Sequence, residues 1–313
     1  MFLFHRVSKM GRTLPTTLFF SLLWVTCLGC KYANVGRYHT MCVYKAHACP
    51  NSQLLRSGGI SAADKDLILK VHNQIRSKVA LGKVRGLPPA ADMRVMAWDN
   101  ELARIAQMWA DQCTDGHDKL RDTEKESVGQ NVALRWTYSH KDPIMKDRPD
   151  WSHSIDLWAR EYGQFGFHSG HISPFVFNHD VGHYTQMIWA DTHKIGCGFA
   201  YYKHPQRGYT KIYVCNYSPG GNIIQGTMYK ISPKGATCVD PSLQFSREHR
   251  GLCEKGHHRR IKRRKSNRNK REHSRSRSGN SRTFHFSKRQ ETRRTKRRQS
   301  TSPRGYLEYS YLS

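Results

Sequence analysis

Two short stretches each carry one cysteine inside an alternating pattern: Ile195-Gly196-Cys197-Gly198-Phe199-Ala200-Tyr201-Tyr202 and Tyr213-Val214-Cys215-Asn216-Tyr217. The alternation and the short gap between them read as a β-hairpin. A cysteine on each arm can close a disulfide across the pair. Just upstream, Val181-Gly182-His183-Tyr184-Thr185-Gln186-Met187-Ile188-Trp189-Ala190 reads as a helix that runs into the first arm.

The rest of the cysteine count points to an oxidising compartment. Residues 1–29 read as a secretory signal: Arg6, Lys9 and Arg12 precede an apolar run from Leu18 to Leu28. A run of about ten apolar residues is too short to span a bilayer, so the chain is not expected to be an integral membrane protein. Cleavage near Gly29 removes Cys27 and leaves Cys30, Cys42, Cys49, Cys113, Cys197, Cys215, Cys238 and Cys253. An even number in a secreted chain implies disulfides, but eight cysteines allow 105 pairings.

Composition changes along the chain. Residues 30–60 are irregular and hold three cysteines. Residues 61–222 mix helical and strand patterns, enough chain for one core. Residues 223–254 form a short extension with two cysteines. Residues 255–313 carry about +18 of the formal charge of +28 and few apolar residues. Such a segment cannot offset its ordering entropy by burial and is expected to be disordered.

Within the central region, Ser61 reads as an N-cap answered by Asp64. Leu67, Val71, Ile75 and Val79 form one apolar stripe, and His72 beside it is expected to pack or hydrogen-bond. Gly82 and Gly86 end that helix. Asp99 caps a second helix with Leu102, Ile105, Ala106 and Trp109 inward. Ser152 or Ser154 opens a third, with Ile155, Trp158, Ala159 and Tyr162 at helical spacing. Segments 114–128 and 137–150 read as loops. Too few strands are present for a doubly wound sheet, so helices covering an antiparallel sheet are expected.

The segments Gly182-His183-Tyr184-Thr185-Gln186 with Trp189, Gly196-Cys197-Gly198 and Cys215-Asn216-Tyr217 with Pro219, Gly221 and Asn222 occur in the order found in the CAP superfamily. The chain resembles its antigen-five, or venom-allergen, members over roughly residues 30–235. The resemblance implies an α+β fold, a three-layer α-β-α sandwich with a small antiparallel sheet. It also implies the pairs Cys30–Cys42, Cys49–Cys113 and Cys197–Cys215, leaving Cys238–Cys253. Antigen-five proteins have a further bridge near the Gly-His-Asp stretch; here that position is Leu120, and its N-terminal partner is absent as well.

The superfamily cleft holds two histidines and two acids. The resemblance carries these onto His117, Gln130, Glu161 and His183, with glutamine in place of one acid. Two imidazoles can hold a divalent metal such as zinc at an open site, and Glu161 can orient a ring from behind. An amide does not titrate, so Gln130 weakens any two-carboxylate mechanism. No Gly-x-Ser-x-Gly or His-Glu-x-x-His motif occurs, and the retained cysteines are committed to bridges. Asn216-Tyr217-Ser218 fits the glycosylation triplet but is followed by Pro219 and is expected to be unmodified.

The expected function is that of a non-enzymatic extracellular effector. It binds a protein target or, as the resemblance implies, a small lipid or sterol through the cleft and loops. The alternative is a metal-dependent hydrolase or peptidase that uses His117, His183 and Glu161. The basic tail suits heparan-type glycans or other polyanions rather than sequence-specific nucleic acid. Arg260-Ile261-Lys262-Arg263 and Arg294-Thr295-Lys296-Arg297 read as sites for cleavage after paired basic residues. The aromatic stretch from Tyr306 to Leu312 has no role in either reading.

Overall fold

The computed structural model describes residues 29–139 and 148–256. The signal segment, residues 140–147 of the loop expected at 137–150, and the basic tail from residue 257 onward lie outside the described residues, and so do the expectations for them.

Elements follow one another as α1 (Thr40–Val43), β1 (Gln53–Ser57), α2 (Ala62–Ala80), β2 (Ala90–Ala91), β3 (Ala97–Trp98), α3 (Asn100–Ala110), β4 (Gly129–Thr137), α4 (Trp151–Phe165), α5 (Gly182–Met187), β5 (Lys194–His204), β6 (Gly208–Ser218), β7 (Lys230–Ile231), β8 (Leu243–Phe245) and β9 (Cys253–Lys255). The main sheet runs β1-β5-β6-β4 with antiparallel neighbours, and short β3 joins β5 in parallel. Helix α3 covers one face. There Ala106, Trp109 and Ala110 pack with Leu134, Ala200, Tyr202, Ile212 and Val214. Helices α2 and α4 cover the other, where Ile68, Trp151, Ile155 and Trp158 meet Phe199, Tyr201, Tyr213 and Tyr217. Residues of β5 and β6 alternate between the two layers, as a sheet buried on both faces requires. The architecture is an α-β-α sandwich of the α+β class.

The hairpin is β5–β6, and its register sets Cys197 directly opposite Cys215, where they are bonded. The glycines on either side of Cys197 have a packing cause. A Cβ on Gly196 would lie 2.2 Å from the backbone N of Ala103, and one on Gly198 would lie 2.4 Å from that of Gln107. Only glycine lets α3 sit this close to β5. The other bridges are Cys30–Cys42, Cys49–Cys113 and Cys238–Cys253.

Ser61 and Asp64 form a capping box on α2, and Asp99 caps α3, whose four expected apolar residues are all buried. Two expectations need correction. Helix α4 is capped by Asp150, which accepts from the backbone N–H of His153; neither Ser152 nor Ser154 opens it. The inward face of α2 is centred on Ile68, His72, Asn73, Arg76 and Val79, while Leu67, Val71 and Ile75 are only partly buried. The reason is polar. Asn73 exchanges two hydrogen bonds with the backbone of Met96. Arg76 donates to the carbonyls of Arg94, Met187, Trp189, Ala190 and Thr192. These side chains satisfy the backbone of irregular segments that have no ladder of their own, so they take the buried side of the helix.

Residues 228–253 close the molecule beneath the C-terminal end of α2. Met228, Tyr229 and Leu252 are buried with Val79, Leu87, Ala90 and Met93. Asp92 accepts from the N–H groups of Val239 and Asp240, tying the extension down. Among the described residues, no helix is long and apolar enough to cross a membrane.

His72 is fully buried between the carbonyl of Ile68 and the hydroxyl of Tyr217. Its Nδ1–H donates to the carbonyl, so Nε2 accepts from the hydroxyl. Burial pushes its pKa down to about 4. Because this pKa lies below the unfolded value, the stabilisation is full above pH 6.5 and is lost as pH falls toward 4. Linkage gives about 3 kcal/mol across that window. Urea unfolding of wild type and His72→Gln, measured between pH 7 and 4, should show a shallower pH dependence for the variant by that amount.

Candidate functional site

The cleft opens where α5 begins, between the loop at 116–121 and the segments 177–183 and 221–224. It has a volume of about 730 Å³ and is lined among others by His117, Gln130, Asn131 and His183. Glu161 is completely buried behind His183. The four positions carried over from the resemblance thus gather in one place, three on the wall and one beneath it.

His183 is the second residue of α5. Its Nδ1–H donates to Glu161 Oε1 at 2.5 Å, while Glu161 Oε2 accepts the backbone N–H of Tyr184 at 3.0 Å. Trp158, three residues before Glu161 on α4, stacks against the imidazole with ring centroids 6.0 Å apart. The carbonyl of His183 accepts from Asn131 Nδ2, and Asn131 also donates to Tyr217, the partner of His72. The ring is thus held by Glu161 and Trp158 of α4, and the backbone of the same residue by Asn131 of β4.

His117 is held differently. The Gln130 amide nitrogen donates to Asp118 Oδ1 and to Asn216 Oδ1, each at 3.0 Å. Its carbonyl oxygen therefore faces His117 Nδ1, at 2.9 Å. An amide oxygen can only accept, so His117 carries its proton on Nδ1 and its lone pair on Nε2. Desolvation of the ring lowers the His117 pKa, and the bond it donates to Gln130 opposes that only in part. The residue itself is exposed where it borders the open cleft.

Asp118 is the hub that sequence reasoning passed over. Its buried carboxylate is bonded by Thr40 of the N-terminal segment, by Arg121 and by Gln130. Thr40 also donates from its backbone N–H to the carbonyl of Leu120, the position where antigen-five proteins have a bridge. Gly36 fits directly under Leu120; a Cβ there would lie 2.5 Å from Leu120 Cδ2. Hydrogen bonds and one close contact therefore hold the cleft loop to the N-terminal segment without the missing cystine. The only available signal was the adjacency of Asp118 to His117, and nothing in the spacing pointed to Thr40, Arg121 or Asn216. Asn216 itself is wholly buried and bonded, so the glycosylation triplet is inaccessible in the folded chain.

Matching against family models finds the cysteine-rich secretory protein family, CAP, over residues 69–217. Venom allergen 5.02 of Dolichovespula maculata is 40% identical over 208 residues, spanning 64% of this chain and 93% of that protein. The chain belongs to the CAP family. Venom allergen 5 of Vespa velutina is 40% identical over 210 residues, 64% of this chain and 98% of its own. The solved structure of BmVAL-1 shares 26% identity at a TM-score of 0.50, covering 66% of this chain and 98% of that one. Together these make the chain a CAP protein of venom-allergen type.

As metal ligands, the two imidazoles fit in part. Each ring gives Nδ1 to an oxygen behind it, the arrangement that orients metal-binding histidines. Among the described residues, however, no group of three or more His, Cys, Asp or Glu side chains gathers to complete a site. Gln130→Glu would set a carboxylate against both His117 and Asp118. The variant should raise the His117 pKa by at least about one unit, because a carboxylate favours the imidazolium. It should also lower stability through repulsion from Asp118. An NMR pH titration of the His117 ring, with a denaturation curve, checks both.

Proposed function

We propose that this CAP protein is a secreted, non-enzymatic extracellular effector. It binds a protein target, or a small lipid or sterol, through its cleft and loops. The observation carrying this reading is the amide of Gln130, which accepts from His117 Nδ1 where a carboxylate would stand and leaves the cleft a single carboxylate–imidazole pair. A recognition site gains from fixed, neutral polar groups on a part-apolar wall. Secretion is supported by the four disulfides and by the likeness to venom allergens. The Lys/Arg-rich segment 255–313 would attach the protein to heparan-type glycans or other polyanions.

The His183–Glu161 pair favours a second reading, a hydrolase or metal-dependent peptidase. An imidazole backed by a buried carboxylate has the geometry to take a proton from water. Zinc would be held by His117 and His183, and when bound it would supply a Lewis acid. Glu161 and Gln130 would then keep the two rings in orientation.

Peptide and ester substrates tested with and without zinc separate the readings. The effector reading expects no turnover above that of His183→Ala. Turnover that His183→Ala abolishes, in a variant that keeps the wild-type circular dichroism, would establish the enzyme. For the tail, truncation after Gly256 should abolish retention on heparin at moderate salt; unchanged retention would contradict attachment through that segment.

A further inference from the structure

The cleft has two unlike walls. On one side, Phe177 and Ile224 line it, and the Phe177 ring lies over the start of α5, 3.2 Å from where a Gly182 Cβ would be. Backbone bonds join the two segments that carry these residues: Phe175 N–H to the carbonyl of Gly226, and Gln225 N–H to that of Phe175. Val176, Ile223 and Ile224 are therefore neighbours of one lip, and they are 40%, 54% and 67% exposed. Scattered exposed aliphatic residues are ordinary, but a contiguous group bordering a cleft marks a contact surface. On the other side stands Lys119, exposed and without an ion-pair partner among the described residues. The nearest acid along the chain, Asp118, is buried and already paired with Arg121. The cleft thus offers an apolar lip and an ammonium to an occupant that is largely apolar and carries a negative charge.

The chain contains such a segment. Residues 306–312 read Tyr-Leu-Glu-Tyr-Ser-Tyr-Leu, with Glu308 as the only charge, next to a segment that is otherwise strongly basic. Reach is no obstacle. The roughly 50 residues between Gly256 and Tyr306 extend up to about 160 Å, while a domain of this size is on the order of 45 Å across. Tethering raises the effective concentration to the millimolar range, so weak contacts suffice. We propose that residues 306–312 dock in this chain's own cleft, apolar side chains along Phe177, Ile223 and Ile224 and Glu308 against Lys119. The full-length chain then covers its own site. Hydrolysis of the peptide bond after Arg263, in Arg260-Ile261-Lys262-Arg263, releases the occupant. The regulatory consequence rests on the cleft being the binding site; the contact itself does not.

The test uses full-length protein, its mass checked to be intact, at low concentration. A zero-length carbodiimide joins a lysine amine to a glutamate carboxylate, and the water lost in forming the amide converts the reagent to its urea. A Lys119–Glu308 link should appear in the monomer, persist on dilution and vanish in Glu308→Gln. In parallel, amides of residues 221–226 should exchange at least about threefold faster when Tyr306, Leu307, Tyr309, Tyr311 and Leu312 are all replaced by serine. Absence of the link with equal exchange rates overturns the docking, even if the cleft binds an external ligand. A link found only in dimers overturns it in favour of a second copy as occupant. A link in a monomer whose exposed cleft, after cleavage, takes up no external ligand supports the docking and refutes the binding reading instead.

Discussion

One guanidinium ties α2 to the segment before β3 and to the passage from α5 into β5. Arg76 is fully buried on α2, and its donors go to five backbone carbonyls: Arg94 before β3, and Met187, Trp189, Ala190 and Thr192 in the passage from α5 to β5. Burial lowers its pKa to about 9, so it remains charged at neutral pH. Among the described residues no carboxylate pairs with it directly, and Asp191 acts on it only through space. The carbonyls left over at the end of a helix carry partial negative charge and need donors, and Arg76 supplies them. The fit is reciprocal, since the turn would otherwise bury unsatisfied acceptors and the arginine an uncompensated cation. The exit of α5 is thereby fixed relative to α2, and α5 carries His183 at its other end.

The site continues the same logic. Buried polar side chains act on irregular backbone and on one another rather than on solvent. Thr40 holds Asp118, Asp118 holds Gln130, and Gln130 decides which nitrogen of His117 bears the proton. Glu161 and Asn131 do the equivalent for His183. The bridges act at the periphery of this network: Cys30–Cys42 closes the segment that presents Thr40, and Cys197–Cys215 joins the two central strands. A fully satisfied buried network of this kind specifies one arrangement more strictly than apolar packing does.

What was legible in the sequence follows from this division. The hairpin, its paired cysteines, the apolar face of α3 and the capped start of α2 rest on local periodicity and on short-range cap chemistry. The cleft positions were legible through likeness to a family, not through their own spacing. The buried face of α2 was misread because the residues turned inward are His72, Asn73 and Arg76. Their partners are backbone groups 18 to 116 positions away for Arg76 alone. Contacts from side chains to a distant backbone leave no periodic trace. Thr40 and Asn216 were invisible because the side chains they meet lie 78 and 86 positions away, and Arg121 because a pair three residues apart in a loop follows no period. The serine expected to cap α4 lost to Asp150, whose carboxylate meets the first turn.

The most direct test of this account is Arg76→Lys, which keeps the charge but offers three donors to five carbonyls. Equilibrium unfolding should show a loss of about 3–5 kcal/mol, the scale for an unsatisfied buried network. The ring resonances of His183 should shift, although the one α5 carbonyl that residue 76 bonds is Met187, at the far end of the helix. Stability within about 0.5 kcal/mol of wild type and unmoved His183 resonances would contradict the claim that this guanidinium positions the helix bearing the cleft.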